Sequence, residues 1–193
     1  RGAQKRCSAV GVELRRSAFP SDVTQSELAA AVEALCADSS VHGILLLRPL
    51  PAPLDEEAIR RLIPPEKDVD GITDGSMAGV FTGSGAGFLP CTAQAAMEIL
   101  DYYKIPCAGR SAAVIGRSLV VGRPAAVLLL QRDATVTVCH SKTANLPEVC
   151  RRADIVIAAC GRTDSLGTEY FRAGQTVIDV GIGWSGEKQK LCG

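Results

Sequence analysis

The sequence lacks an excess of charge of either sign, because 21 lysine and arginine residues balance 21 aspartate and glutamate residues. A chain without a net field is not steered to nucleic acid or to anionic membranes, and neither partner is expected. Long apolar runs are also absent, and stretches such as 125–130 fall far short of the ~20 residues that a membrane span needs. No signal peptide is visible. These absences predict a cytoplasmic protein.

Metal-binding patterns are scarce as well. The chain has eight cysteines and two histidines, but it contains no C-x-x-C pair and no histidine cluster. Cys139 and Cys160 lie inside apolar runs, where a thiol behaves as a small hydrophobic side chain. The sequence therefore predicts reduced thiols and no metal site.

Aromatic residues make up only 4% of the chain, whereas glycine occurs 19 times. Small residues of this kind suit tight turns between strands and helices. In the second half, predicted strands alternate with predicted helices; the strands are 111–116, 134–139, 154–160 and 175–180, and the helices are 120–131 and 146–153. This alternation predicts a doubly wound parallel sheet with right-handed crossovers.

The first half is less regular. It predicts the end of a helix stopped by Gly11, a short strand over 13–17, a helix over 26–37 and a buried strand over 41–47. A helix capped by Asp55 follows, then a long glycine-rich loop over 66–90 and a further helix from Thr92. The expected fold class is α/β with two lobes. Residues 1–106 form an N-terminal catalytic lobe, and residues 107–193 form a Rossmann-like nucleotide-binding lobe.

The first strand of the second lobe leads into Gly116-Arg117-Ser118 and, four residues later, Gly122. A glycine-bearing turn between a strand and a helix can hold a pyrophosphate on free backbone N–H groups, although an ordinary turn would look the same. The next strand ends in Cys139-His140-Ser141-Lys142-Thr143, without the carboxylate that NAD enzymes place there. A hydroxyl beside a cation, together with Arg117, suits a 2′-phosphate and favours NADP, unless His140 and Lys142 are merely solvated loop residues.

Further motifs occur in order along the chain: 41–44 with Arg48-Pro49-Leu50-Pro51, Pro65-Glu66-Lys67-Asp68-Val69-Asp70-Gly71, Pro90-Cys91-Thr92, the two segments above, and Ile178-Asp179-Val180-Gly181-Ile182. Together they resemble the bifunctional methylenetetrahydrofolate dehydrogenase/methenyltetrahydrofolate cyclohydrolase family (the FolD family) over essentially the whole chain. The resemblance implies two lobes around a cleft and a homodimer.

The resemblance also implies an activity in one-carbon metabolism. NADP⁺ would oxidise 5,10-methylene-tetrahydrofolate to the methenyl form, and hydrolysis would then give 10-formyl-tetrahydrofolate. It assigns cofactor contacts to Gly116, Arg117, Ser118, Ser141 and Ile182. It assigns substrate contacts to Asp70, Leu47, Pro90, Cys91 and Thr92, with Asp70 as the catalytic, pterin-facing carboxylate. From the residues alone, Asp70 could equally be a turn aspartate that bonds its own backbone before Gly71.

Two positions depart from the family pattern. The family's catalytic lysine, eight residues before a glycine, falls on Ala3, and Lys5 lies about 200° further around the helix. The glutamine that bonds this lysine falls on Leu47. We expect hydride transfer to persist, since the nicotinamide carries that chemistry. We expect cyclohydrolase activity to be weak or absent, because an acid–base pair typically contributes ~10²–10⁴-fold.

Two other functions remain open at the level of sequence. One is a nucleotide-binding module without catalysis, which the loss of the lysine and the glutamine would favour. The other is a different two-lobed NADP oxidoreductase that acts on a small acid, similar to shikimate dehydrogenase, for which no folate affinity is expected. The sequence also looks like an internal fragment of a longer enzyme.

Overall fold

The computed structural model of the 193-residue chain describes residues 2–161, 165–185 and 190–192. Within these ranges the α-helices are α1 (Gly2–Ala9), α2 (Gln25–Ala37), α3 (Glu56–Leu62), α4 (Asp74–Thr82), α5 (Cys91–Tyr102), α6 (Gly122–Leu130) and α7 (Leu146–Arg152). The strands are β1 (Ser111–Ile115), β2 (Thr135–Cys139), β3 (Ile155–Ala158), β4 (Thr176–Asp179), β5 (Gly183–Ser185) and β6 (Lys190–Cys192). Short 3₁₀ helices cover Pro65–Lys67 and Thr168–Tyr170.

The predicted parallel sheet is confirmed in the second half. Its strand order is β2-β1-β3-β4, and Ile115 lies opposite both Cys139 and Ala158. One face of the sheet packs against α5 and α6, and the other face packs against α7. Strand β3 is buried throughout, as expected of a central strand covered on both faces. The sheet is therefore doubly wound.

The first half has a smaller core, in which α2 and α3 pack around residues such as Ile44 and Ile59. Helix α2 begins one residue before the predicted Ser26. Its N-cap is Thr24, whose hydroxyl accepts from the Glu27 N–H while the Glu27 carboxylate accepts from the Thr24 N–H at 2.8 Å. This reciprocal pair satisfies two backbone donors at once. Asp55 caps α3 as predicted.

Two strands predicted in the first half do not form. The 41–47 segment makes a single parallel bridge, from Ile44 to Asp68, in which the Ile44 N–H donates to the Lys67 carbonyl at 2.7 Å. The 13–17 segment is exposed and has no regular structure. Apolar composition gives a segment strand propensity, but a ladder needs a partner that matches its length. The partner of Ile44 is the short segment that follows a 3₁₀ helix.

The predicted long loop over 66–90 was also wrong, because it contains α4. Thr73 caps this helix by accepting from the Ser76 N–H, and Gly83 ends it at φ +68°. The glycines here serve close packing: a Cβ on Gly79 would lie 1.9 Å from the Ala86 carbonyl oxygen. The glycines of this segment had indicated a loop. However, Gly79 allows α4 to pack closely against the chain that follows it.

Helix α5 connects the two halves. Its buried side chains, including Met97 and Leu100, belong to the same core as Val114 and Ile157 of the sheet. A further tie comes from Gln131, whose amide donates to the Val80 carbonyl of α4 at 2.6 Å. The division after residue 106 stays a prediction. Among the described residues, no helix combines the length and apolar character needed to cross a membrane.

Candidate functional site

The loop between the 3₁₀ helix and α4 carries two aspartates in different settings. Asp68 is buried, with an exposed fraction of 1%. Its two carboxylate oxygens accept from the Ile72 N–H at 3.1 Å and from the Thr73 N–H at 2.7 Å. Burial acts to raise the pKa of Asp68, but the hydrogen bonds from Ser76, Thr73 and Ile72 outweigh it, and the pKa lies below its usual value. Asp68 is therefore the structural carboxylate of the loop.

Asp70 is the carboxylate that stays available. Its side chain is 33% exposed, and no described residue donates a hydrogen bond to it. The turn is closed instead by the Gly71 N–H, which donates to the Asp68 carbonyl at 3.0 Å. Burial raises the pKa of Asp70, and the positive charge of Arg48 partly offsets this effect. The structure does not support the alternative in which Asp70 bonds its own backbone.

Gly71 brings the Asp70 loop against the start of α5. Its φ is +65°, and an added Cβ would lie 2.6 Å from the Pro90 nitrogen. On the same side, the Cys91 thiol donates to the Val69 carbonyl at 3.4 Å. Burial, and next the charge of Asp70, raise the pKa of Cys91, which keeps it a neutral thiol near pH 7. The two neighbours of Asp70, Val69 and Gly71, therefore contact the start of α5, where the charge of Asp70 acts on the Cys91 thiol.

Arg48 completes this group, and the sequence reasoning had given it no role. One guanidinium nitrogen lies 3.8 Å from a carboxylate oxygen of Asp70, and the other lies 3.6 Å from a carboxylate oxygen of Glu56. The available signal was a cation directly after the apolar run 41–47, in which the structure buries only Ile44. The two remaining predicted contacts are exposed: Leu47, at 78%, precedes Arg48, and Thr92 follows Cys91 in the first turn of α5.

The predicted cofactor residues lie at the carboxyl edge of the parallel sheet. Gly116 follows β1 with φ +130°, and its N–H donates to the Cys139 carbonyl at the end of β2. A Cβ added to Gly116 would lie 2.4 Å from the Ala159 carbonyl oxygen. A Cβ added to Gly122 would lie 2.2 Å from the Gly116 carbonyl oxygen. These two glycines hold the turn tightly between strand and helix.

The turn between these glycines presents an unsatisfied row of donors. The Ser118 hydroxyl oxygen accepts from the N–H groups of Val121 and Gly122 at 3.2 and 3.4 Å. In contrast, the N–H groups of 117–120 donate to no acceptor in the part of the chain that the structure describes. The Arg117 side chain is exposed beside them. Several free N–H groups and a guanidinium at a helix start fit the phosphates of a dinucleotide.

The turn after β2 supplies the third part of this edge. The His140 ring nitrogen Nδ1 accepts from the Lys142 N–H at 3.1 Å, and the Thr143 hydroxyl accepts from the His140 N–H at 2.9 Å. This turn leaves Ser141 and Lys142 exposed. Ile182 follows β4 and is 68% exposed. The hydroxyl and ammonium suit a 2′-phosphate, so these residues fit NADP.

Helix α1 carries Ala3 and Lys5. Ala3 and Lys5 are both exposed on it. Lys67 lies within the Asp68 loop, but its ammonium group donates to the carbonyls of Leu35, Cys36 and Asp38 at 3.3, 2.7 and 2.7 Å. It therefore serves as the C-terminal cap of α2 and has no free donor for the site.

Known proteins resemble this chain along its whole length. Residues 1–70 match the family model of the tetrahydrofolate dehydrogenase/cyclohydrolase catalytic domain, and residues 90–193 match that of its NAD(P)-binding domain. "Bifunctional protein FolD" of Carboxydothermus hydrogenoformans is 50% identical over 193 residues, which cover 100% of this chain and 67% of that protein. The chain thus spans about two thirds of the length of this relative.

Solved structures agree over the same span. The crystal structure of the bifunctional FolD enzyme of Campylobacter jejuni superposes on this chain with a TM-score of 0.95 at 38% sequence identity. The match covers 100% of this chain and 68% of the Campylobacter jejuni chain. The FolD of Trypanosoma brucei, solved with NADP cofactor and inhibitor, has a TM-score of 0.89 at 33% identity, covering 97% of this chain and 64% of that one. A TM-score of 0.95 over the whole chain means that the two halves are placed relative to each other as in that enzyme.

Proposed function

The chain belongs to the tetrahydrofolate dehydrogenase/cyclohydrolase family, and we propose that it oxidises 5,10-methylene-tetrahydrofolate to 5,10-methenyl-tetrahydrofolate with NADP⁺. The observation that carries this proposal is the division of labour between two neighbouring carboxylates. Both carboxylate oxygens of Asp68 accept hydrogen bonds from backbone N–H groups, whereas those of Asp70 are available to accept from a ligand. The function belongs to one-carbon metabolism.

Asp70 is proposed as the substrate-binding carboxylate. The edge of a reduced pterin offers a ring N–H and an amino group, and one carboxylate can accept from both. Pro90 and Cys91 lie on the same side of the loop, where the neutral Cys91 thiol adds no charge. Leu47 and Thr92, both exposed, are proposed to border the bound folate. This set holds the one-carbon bridge in one orientation.

The carboxyl edge of the sheet is proposed to hold the cofactor. The N–H groups of 117–120 and the Arg117 side chain bind the pyrophosphate, while Ser141 and Lys142 bind the 2′-phosphate. Gly116 and Ser118 keep the turn in shape, and Ile182 covers the open side. NADP supplies the hydride acceptor when bound. The residues of this chain orient it and exclude water from the reacting carbon.

Hydrolysis of the methenyl product is proposed to be weak or absent. Water attack on the methenyl carbon and ring opening both need proton transfers, which a positioned acid–base pair accelerates ~10²–10⁴-fold. Ala3 has a methyl group at the lysine position and Leu47 an isobutyl group at the glutamine position. The Lys67 ammonium group is held by carbonyls at the end of α2.

A spectroscopic assay tests both statements. Mixing the protein with 5,10-methylene-tetrahydrofolate and NADP⁺ is expected to produce reduced nicotinamide, and NAD⁺ is expected to give a lower rate. Added methenyl-tetrahydrofolate is expected to decay at the rate seen in buffer alone. Absence of nicotinamide reduction would contradict the dehydrogenase proposal, and rapid decay of the methenyl form would contradict the loss of hydrolysis.

The proposal also covers the oligomeric state of the protein and its location in the cell. We infer a cytoplasmic homodimer, in line with the seven cysteines that the described side chains show as free thiols. Strand β2 lies at an edge of the sheet, and Val138 on it is 41% exposed, a surface suited to association. Light scattering of the purified chain is expected to give twice the chain mass, and a monomer at micromolar concentration would contradict the dimer.

A further inference from the structure

We propose that Arg48 is a positioning residue for the folate site, which holds the Asp70 carboxylate ionised and aimed at the pterin. The inference rests on the proposed function, since it concerns how the same site recognises its substrate. It arises from three charged groups on separate segments: Arg48 after the 41–47 segment, Glu56 in the first turn of α3, and Asp70 before Gly71.

The first step is the fixation of Glu56. It is the first residue of α3, where the helix dipole favours a negative charge. One of its carboxylate oxygens accepts from the Leu50 N–H at 3.0 Å. The other lies 3.6 Å from the Arg48 guanidinium. The hydrogen bond from the Leu50 backbone therefore positions the Glu56 carboxylate, and the carboxylate in turn positions the Arg48 guanidinium.

The second step is the reach of Arg48 to Asp70. The Arg48 side chain is 27% exposed, and its guanidinium group lies between the carboxylates of Glu56 and Asp70. Its 3.8 Å separation from the Asp70 oxygen is an ion-pair distance and not a hydrogen bond. The Asp70 lone pairs consequently stay free for the N–H groups of a ligand, while the positive charge still stabilises the anionic form.

The third step is the electrostatic balance at Asp70. The groups that face it are Arg48, which favours ionisation, and Asp68, which opposes it. Cys91 feels the Asp70 charge but is itself neutral. Burial raises the pKa of Asp70, and Arg48 is the only cation that offsets this among the described groups that act on it. A protonated Asp70 could accept fewer hydrogen bonds from the pterin edge.

The test compares Arg48→Gln, Arg48→Lys and, as a matched control, Arg61→Gln. Arg61 lies on α3 and pairs with Glu57 and Asp74, away from Asp70. For Arg48→Gln we expect the KM for 5,10-methylene-tetrahydrofolate to rise about 10-fold with a smaller change in kcat. The acid limb of kcat/KM is expected to move to higher pH by roughly half to one unit.

Arg48→Lys restores the charge and is expected to recover most of the pH profile, whereas Arg61→Gln is expected to match the wild type. The affinity for NADP⁺ is measured for each variant and should be unchanged, which establishes that each one is folded. An Arg48→Gln protein with wild-type KM and pH profile would overturn the inference. A wild-type protein without dehydrogenase activity would instead overturn the proposed function.

Discussion

The two halves of the chain differ in the groups that we propose for binding. The second half uses backbone N–H groups, and the first half uses charged side chains. In the second half, backbone N–H groups that follow β1 form the proposed anion site, and glycines shape it. In the first half, side-chain charges on three separate segments form the proposed folate site. A backbone site is sensitive to added atoms at its glycines, whereas a side-chain site is sensitive to the loss of a charge. Each half should therefore fail under a different kind of substitution.

The largest effect is expected for Gly122→Ala. The new methyl group would lie 2.2 Å from the Gly116 oxygen and 2.8 Å from the Arg117 nitrogen, so the turn must open. We expect NADP⁺ affinity to fall at least ~100-fold, about 3 kcal/mol, while folate binding persists. Fluorescence titration with NADPH measures this loss.

Gly109→Ala is the matched control for a glycine in the same half. Its φ is +70°, but an added Cβ meets no atom within 4 Å. It should lower stability by about 1–2 kcal/mol and leave NADP⁺ affinity unchanged. Equal NADP⁺ affinity in Gly122→Ala and the wild type would show that the turn does not bind the cofactor through its backbone.

The next effect is on stability in the first half. Asp68→Asn replaces one of two accepting oxygens with an NH₂ group that faces a backbone N–H, and we expect a loss of about 2–3 kcal/mol in the free energy of unfolding. Urea unfolding at pH 7 gives this difference.

The same substitution has a pH signature. Because folding lowers the pKa of Asp68, its contribution is complete above the unfolded value near 3.9 and is lost as pH falls through the lower folded value. The gap between wild type and Asp68→Asn should narrow below about pH 4. A gap that stays constant down to pH 2 would mean that ionisation of Asp68 contributes nothing to stability.

A smaller effect is expected at the turn after β2. Lys142→Gln removes the cation proposed for the 2′-phosphate but keeps the backbone turn with His140, since that bond uses the Lys142 N–H. The preference for NADP⁺ over NAD⁺, measured as a ratio of kcat/KM values, should fall about 10-fold. Lys104→Gln, in the turn that follows α5, is the control. An unchanged ratio would contradict a role of Lys142 at the 2′-phosphate.

The smallest effect concerns the cap of α2, which lies outside both sites. Thr24→Ala removes the acceptor for the Glu27 N–H and should lower the free energy of unfolding by about 1 kcal/mol without changing either affinity. Thermal unfolding monitored by circular dichroism measures it. A change in NADP⁺ or folate affinity would show that the sites depend on the α2 core.

The halves also differ in how far the sequence could predict them. Strands β1 to β4 alternate with α6 and α7 and pair with neighbours of their own kind, so their periodicity was sufficient. In the first half, the bridge partner of Ile44 is Asp68, in a short segment that shows no periodic pattern of apolar residues. Its pairing could therefore not be predicted from the sequence. Helix α4 was missed because its glycines, such as Gly79, serve close packing.

The candidate site shows the same contrast. Gly116 and Ser118 could be placed from their position after a strand, because the carboxyl ends of parallel strands share one edge. The motif resemblance led to the prediction of Asp70 as the folate carboxylate, but it gave no role to Arg48. That role depends on Glu56 and Asp70 approaching from separate segments, and only the folded chain shows this approach.

A paired titration of Asp70→Asn is the most direct test that the two halves bind separate ligands. Asp74→Asn, a substitution of an exposed aspartate at the start of α4, is the control. Asp70→Asn should raise the KM for 5,10-methylene-tetrahydrofolate at least ~10-fold and leave the Kd for NADP⁺ within twofold of the wild type. An unchanged KM in Asp70→Asn, or an equal loss of both affinities, would contradict a folate site built on this carboxylate.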